Sequence, residues 1–237
     1  MISRYAGGER GARSAARSGS VLVVVDAFRA STTISLLVSR GARVLPVASI
    51  REAAAAKADL RVGERDSAKV SGFDFGNSPN EILASKIPAG STVAMSTTNG
   101  TRVVEAGLGS AEIYTGAFVN AGCLAARLHE RFQDAEVVVV GCGWEGRRAS
   151  EDEAAAGAIF HRLELLGSDL DQRARTVTER YLRRANSSLR TNSAARRLLR
   201  LGRGDDVELC LREDSILASS RLLGEAFADD PEKPRIE

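Results

Sequence analysis

The 237 residues carry 33 lysines and arginines against 31 aspartates and glutamates, and a formal charge of +2 gives no overall attraction to nucleic acid or to a membrane surface. With 43% hydrophobic and 27% charged residues, the chain has a globular composition and can bury one large α/β core or two small ones. No apolar run offers a membrane span, no apolar stretch near the N-terminus resembles a signal peptide, and the scattered Cys123, Cys142 and Cys210 form no CxxC pair, which together point to a reducing cytoplasm.

Residues 1–19, rich in Gly, Ser and Arg, read as a loosely ordered segment. Val21 to Val25 is an unbroken apolar run ending in Asp26, the pattern of a buried parallel strand. A helix follows over 32–39, stopped by Gly41. Val44 to Val47 predicts a short strand, and Pro46 suggests an edge or a bulge. An alanine-rich helix over 50–60 opens with Ser49 and has Glu52 three residues on. Residues 60–63 form a weak strand, and the polar, glycine-rich stretch 63–80 is long for a structureless loop.

Further strands are expected at 92–96, 112–115 and 136–140, with helices over 101–106, 120–131 and 150–166. From 173 to 225 the pattern is helical, with a late strand at 207–210, and the charged tail 229–237 reads as frayed. Strand, polar loop and helix in repetition imply an α/β fold with a mostly parallel sheet and helices on both faces. One domain spans 20–228, with a second subdomain from about 141 left open. The stretch 173–203 sets Arg173, Arg175, Arg180, Arg183, Arg184, Arg190, Arg196, Arg197, Arg200 and Arg203 against Glu179. It reads as solvated helix faces, since Tyr181 is its lone aromatic for stacking a base.

In open parallel sheets ligands bind beyond the carboxyl ends of the strands. Asp26 stands at such an end, where an aspartate can bind a hard cation, attack phosphorus or cap the next helix. Arg29, Ser31, Thr32 and Thr33 follow it, placing a guanidinium, amides and hydroxyls where an anion would sit. Ser96 to Thr101 forms a second polar turn, and Thr97, Thr98 and Asn99 suit either an oxyanion or a helix cap. Glu64 closes the weak strand, and Asp74 and Asn77 lie in the shaped loop 72–79. In 143–153, Ser150 and Glu153 have capping-box spacing, which leaves Glu151 and Asp152 either to favour the helix dipole or to hold a metal, and Glu145 precedes the helix as well. Carboxylates gathered near Asp26 would repel one another without a cation, and such oxygen ligands suit Mg²⁺. His129 and His161 fall on helices away from strand ends, and Cys142, which follows a buried strand, reads as a buried core cysteine rather than a thiolate nucleophile.

These segments together resemble the 2-phosphosulfolactate phosphatase family. The matching stretches are VVVDAFRASTT at 23–33, VGERDSAKVSGFDFGNSPNE at 62–81, MSTTNGTR at 95–102 and GCGWEGRRASEDEAAAG at 141–157, with GDDVELCLRED at 204–214 a weaker match. The resemblance implies a three-layer α/β/α fold and Mg²⁺-dependent hydrolysis of 2-phosphosulfolactate to 3-sulfolactate and phosphate, a step in coenzyme M biosynthesis. On this reading Asp26 and some of Glu64, Asp74, Glu145, Glu151 and Asp152 hold the metal. Arg29 and the Ser31 and Thr32 amides neutralise phosphoryl oxygens, and Asp74 and Asn77 reach the site from their loop. The 96–101 turn, with Arg147 or Arg148, receives the other acidic groups. The nucleophile is either a water on the metal or Asp26 itself. The expected partner is a small phosphorylated acid, not a membrane or a nucleic acid, and a homo-oligomer is left open. The competing reading is a non-catalytic binder of an anionic metabolite, or a nucleic-acid partner using 173–203.

Overall fold

The computed structural model describes residues 1–184 and 186–230. In chain order its strands are β1 (Ile2–Gly7), β2 (Val21–Val25), β3 (Arg43–Pro46), β4 (Leu60–Arg65), β5 (Ala68–Lys69), β6 (Thr92–Ser96), β7 (Glu112–Thr115), β8 (Glu136–Gly141), β9 (Asp169–Leu170), β10 (Ser220–Leu223) and β11 (Ala226–Asp229). The helices are α1 (Gly8–Ser18), α2 (Ala30–Ser39), α3 (Ile50–Ala55), α4 (Pro79–Ala84), α5 (Gly100–Ala106), α6 (Ala121–Arg131), α7 (Ser150–Leu165), α8 (Gln172–Arg183), α9 (Asn186–Arg190), α10 (Ser193–Arg200) and α11 (Gly204–Cys210).

All five residues of β2 are buried, and their side chains alternate between two apolar layers. Leu22 and Val24 join Val138, Val140, Ile34 and Leu37 on one face of the sheet. Val21, Val23 and Val25 join Val137, Val139, Leu124 and Ile159 on the other. A strand buried on both faces needs helices on both faces, and the result is the expected α/β/α arrangement. Among the described residues, the strands order as β5-β4-β6-β3-β11-β10-β7-β2-β8-β1-β9.

Two parallel blocks, β4-β6-β3 and β7-β2-β8-β1, are joined by the antiparallel β10–β11 hairpin. The hairpin meets each block through a single register pair, Arg221 with Tyr114 and Phe227 with Val44. The carboxyl ends of the two blocks meet where Gly100, after β6, lies against Asp26, after β2. The sheet continues across position 141, where β8 is paired on both sides. No helix of the described residues is long and apolar enough to cross a membrane.

Four expectations change. Residues 1–19 are not loosely ordered: β1 pairs with β8 over six residues, and α1 buries Gly11, Ala12 and Ala15. Small residues let α1 pack closely on the sheet, and their low hydrophobicity hides that face from a composition reading. Pro46 is not at an edge, since β3 lies between β6 and β11; the proline ends the strand, and the ladder continues through the Val47 amide to the Met95 carbonyl at 2.9 Å. Residues 207–210 belong to helix α11, whose first turn carries Asp205 and Asp206, and not to a strand. Residues 220–229, expected to be partly helical, form the β10–β11 hairpin, turning at Gly224 with φ +63°. The tail beyond Asp230 lies outside the described residues.

Candidate active site

Asp26 stands where β2 ends. Its carboxylate Oδ1 accepts the Ala30 amide at 3.3 Å, and its own amide donates to Ser31 Oγ at 2.8 Å. These bonds fix the side chain at the start of α2, so the capping role is real. Its Oδ2 accepts no hydrogen bond from the described residues and points at Gly100, where any Cβ would stand 3.0 Å away. Glycine at 100 therefore makes room for this carboxylate.

Three more carboxylates join it. Glu64 is buried, and its two oxygens accept the amides of Thr98 at 2.7 Å and Ser67 at 2.8 Å. Asp152, in the first turn of α7, accepts the amides of Ala27 and Gly143, each at 2.8 Å, and so staples the end of β2 to the end of β8. Glu151 is buried beside it and accepts Asn192 Nδ2 at 2.8 Å. Burial, then the charges of Glu64 and Glu151, pushes Asp26 up to about 6 against the hydrogen bond from Ala30. Burial, then the charges of Glu151 and Asp26, holds Asp152 well above the ordinary carboxylate range. Burial also raises Glu151. The four carboxylates expected from Asp26, Glu64, Glu151 and Asp152 thus form one electrostatic unit drawn from three strand ends.

The positive groups are arranged differently from expectation. Arg29 is 3% exposed and is already spent: Nη1 donates to Asp206 Oδ2 at 2.7 Å and Nη2 to the Ser67 carbonyl at 3.0 Å. It clamps α2 to α11 rather than offering a fork to a ligand. Ser31 and Thr32 also face inward. Ser31 Oγ bonds Thr115 Oγ1 at 2.7 Å, the Ser31 amide donates to the Asp26 carbonyl at 2.9 Å, and Thr32 Oγ1 donates to the Ala27 carbonyl at 3.1 Å. Asp74 is turned away to the opposite end of β4, where it accepts the Arg61 amide at 2.7 Å. It is exposed and belongs to loop architecture, so the catalytic role expected of it has no support in the geometry.

Glu145 is also outside the cluster. Trp144 and Arg147 exchange backbone hydrogen bonds, both at 2.9 Å, around Glu145 at φ 49° and Gly146 at φ 76°. Two left-handed central residues make this a primed hairpin turn. Glu145 is exposed at its tip and borders a cavity of about 350 Å³ with Arg10, Asn99 and Arg102. Arg147 borders a smaller cavity of about 170 Å³ with Tyr5, Cys142 and Asp152. Arg148 pairs with Glu153.

Thr97 and Thr101 lock the β6–α5 turn on itself, the Thr101 hydroxyl donating to the Thr97 carbonyl at 3.1 Å. Thr98 Oγ1 and Asn77 Oδ1 are buried with no hydrogen-bond partner among the described residues. Cys142 is buried, and burial followed by the charges of Asp26 and Asp152 raises its thiol well above the usual range, which keeps it protonated. His129 and His161 sit at half-buried positions on α6 and α7.

Sequence reading missed four participants. Asp206 holds Arg29, Ser78 Oγ at 2.7 Å and the Asn80 amide at 3.0 Å, which joins the 72–80 loop to α2. Its signal was the acidic start of 204–206. Arg65 donates to Ser96 Oγ at 3.1 Å. Asn192 and Arg197 come from the basic stretch, where their neighbours' charge masked them. That stretch is not a plain solvated face: Arg184 bonds Glu213 at 2.9 Å, Arg190 bonds Glu208 at 2.7 Å and Arg203 bonds Glu81 at 2.6 Å.

Among the described residues, no group of three or more carboxylate, thiol or imidazole side chains is placed to hold a metal ion. Mg²⁺ does not need one, since it takes one or two carboxylates and completes its shell with water and substrate oxygens. Repelling carboxylates with a free oxygen on Asp26 are a donor set that fits it.

Comparison with known proteins agrees with this arrangement. The family model described as 2-phosphosulpholactate phosphatase matches residues 9–218. A protein named probable 2-phosphosulfolactate phosphatase from Thermotoga petrophila is 37% identical over 212 residues, covering 86% of this chain and 90% of its own. Proteins of the same name from Gloeobacter violaceus and Thermosynechococcus vestitus are 37% and 36% identical, covering 84% and 81% of this chain and 86% and 84% of their own. With the match running from α1 to the start of the C-terminal hairpin and including every carboxylate of the cluster, the chain belongs to the 2-phosphosulfolactate phosphatase family, a family of phosphoric monoester hydrolases.

Proposed function

We propose that the chain hydrolyses 2-phosphosulfolactate, or a closely related phosphorylated hydroxy acid, with the help of Mg²⁺. The observation that carries this is Asp26: a strand-end carboxylate with one oxygen pinned by Ala30, the other free, and a pKa pushed up to about 6 by burial and by neighbouring acids. A cation relieves a group held in such tension, and carboxylates perturbed in this way cluster at functional sites. Asp26 would hold the metal with Glu64 and Glu151 beside it. When bound, Mg²⁺ would neutralise charge on the phosphoryl oxygens.

The chain's own groups do the rest. Glu64 and Asp152 keep the strand ends in register by accepting two backbone amides each, so the site is fixed before substrate arrives. Thr98 Oγ1, buried and unpartnered, is free to donate to a substrate oxygen. Arg29, though not a ligand fork, lowers the proton affinity of Asp26 by its charge.

The test is phosphate release from 2-phosphosulfolactate and from simple phosphomonoesters, with Mg²⁺ and then with chelator. Metal-dependent release is expected; release that survives chelation would remove the metal, and no release from any ester would remove the reaction. Acid quench during turnover of phosphate-labelled substrate, with mass analysis of the Asp26 peptide, distinguishes attack by the carboxylate, which leaves phosphate on Asp26, from attack by water, which does not.

A further inference from the structure

We propose that Arg197 receives the acidic end of the substrate that is not the phosphoryl group, and so confers preference for a phosphoester that carries a second anion. This rests on the phosphatase reading above.

Helix α10 is docked over the site rather than waving in solvent. Asn192 caps it by accepting the Ala195 amide at 2.8 Å, while the same side chain donates to Glu151 Oε2 at 2.8 Å and Ser150 Oγ at 3.1 Å. Ala195 and Leu198 pack with Val207 and Phe28. Arg197 therefore starts from a fixed backbone. Its guanidinium lies 3.6 Å over the Trp144 ring, and its Nε donates to Ser67 Oγ at 3.0 Å. Trp144 belongs to the β8–α7 turn and Ser67 to the β4–β5 turn, so two separate loops set the plane of the guanidinium.

Nη1 and Nη2 of Arg197 donate to no described residue. Glu151, the nearby acid, is satisfied by Asn192 instead and feels Arg197 only through its charge. A planar fork held by stacking, with its outer N–H groups unspent, loses little freedom on binding a carboxylate or a sulfonate. Its place explains which anion it takes. Asn192 at the start of α10 bonds Glu151, and Ser67, which Arg197 bonds, donates its amide to Glu64, so Arg197 is tied to the two acids that flank Asp26 and not to Asp26 itself. The phosphoryl group belongs at Asp26, and the second acid then extends toward Trp144 and Arg197.

The experiment compares the dissociation constants of 3-sulfolactate and inorganic phosphate by calorimetry, in buffer containing Mg²⁺, for the full chain and its variants. In Arg197→Ala the ratio of the sulfolactate constant to the phosphate constant is expected to rise at least about ten-fold, which corresponds to about 1.4 kcal/mol. Arg197→Lys keeps the charge but not the fork, and is expected to recover less than half of the loss. Trp144→Ala, which frees the guanidinium, is expected to raise the ratio about three-fold. Equal weakening of both ligands, or a ratio within two-fold of the parent in Arg197→Ala, overturns the proposal. Hydrolysis by the parent chain is measured separately: turnover with an unchanged ratio sinks the Arg197 assignment alone, and an Arg197-dependent ratio without turnover sinks the phosphatase reading alone.

Discussion

Two buried groups of charges stand at different parts of the same sheet and are built in opposite ways. At the C-terminal hairpin, Asp230 is 1% exposed and surrounded by cations: Arg131 at 2.7 Å, Arg221 at 3.3 Å and Arg127 at 3.6 Å, with the Tyr114 hydroxyl at 2.9 Å. These partners overcome the cost of burial and hold the Asp230 carboxyl below its usual value. At the strand ends Asp26 has acids for neighbours and lies above its usual value. The hairpin needs its charge for cohesion, because it joins two parallel blocks through few backbone pairs. The strand-end cluster spends stability to keep a charge available. Neutralised charge marks architecture here, and charge left in conflict is what the proposed metal-assisted chemistry would use.

Substitution breaks the comparison most directly. Asp26→Asn keeps the shape and removes the charge, and should lower kcat by at least about 10³, or about 4 kcal/mol of barrier, in a phosphate-release assay with Mg²⁺. Asp230→Ala should do the reverse. Stripping a buried carboxylate from its arginines should cost about 3–5 kcal/mol in urea unfolding while kcat stays within about two-fold at a temperature where the variant is folded. If Asp230→Ala were neutral in stability, the hairpin would not depend on that network. Asp152→Asn lies between the two. An amide can accept one backbone N–H but presents its NH₂ to the other, so one of the bonds to Ala27 and Gly143 is lost at about 1–3 kcal/mol. Loosening the two strand ends should also lower kcat by about 10- to 100-fold, read in the same assay.

The sheet was legible because its strands are apolar runs that end in polar loops. Val21–Val25 and Glu136–Gly141 leave no other reading, and Asp26 is found by its place after the first of them. Glu64, Glu151 and Asp152 were legible as acids at strand ends or helix starts. What the sequence hid was the set of commitments among polar groups. Arg29 looks like a phosphate fork until Asp206, far along the chain, occupies it. Asp74 and Glu145 have the right chemistry at the right loops, but one binds the far end of its strand and the other sits at the tip of a turn. Arg197 was lost among ten arginines because nothing local distinguishes it; its distinction is Trp144, more than fifty residues away. The β1–α1 unit was hidden by small residues whose packing value exists only against the sheet.

The smallest expected effect is a pH dependence of opposite sign at the two sites. Unfolded Asp26 titrates near 3.8 and folded Asp26 near 6, so between these values the unfolded chain releases its proton first. Native stability therefore falls as pH rises through about 4 to 6 and then levels off. Asp230 has the depressed value, so its contribution is present above the unfolded pKa and is lost as pH falls through the folded one. Urea unfolding of Asp26→Asn beside the parent isolates the first contribution. Water's access to the carboxylate reduces the shift's full value, leaving about 1–2 kcal/mol in favour of the variant at pH 7 and close to none near pH 4. Added Mg²⁺ should stabilise the parent at pH 7 and shrink that difference, because a ligand bound by the native state alone adds to its stability. A difference that stayed constant from pH 4 to 7 would mean that Asp26 is relieved by partners within the fold, as Asp230 is, and the contrast between the two sites would be lost.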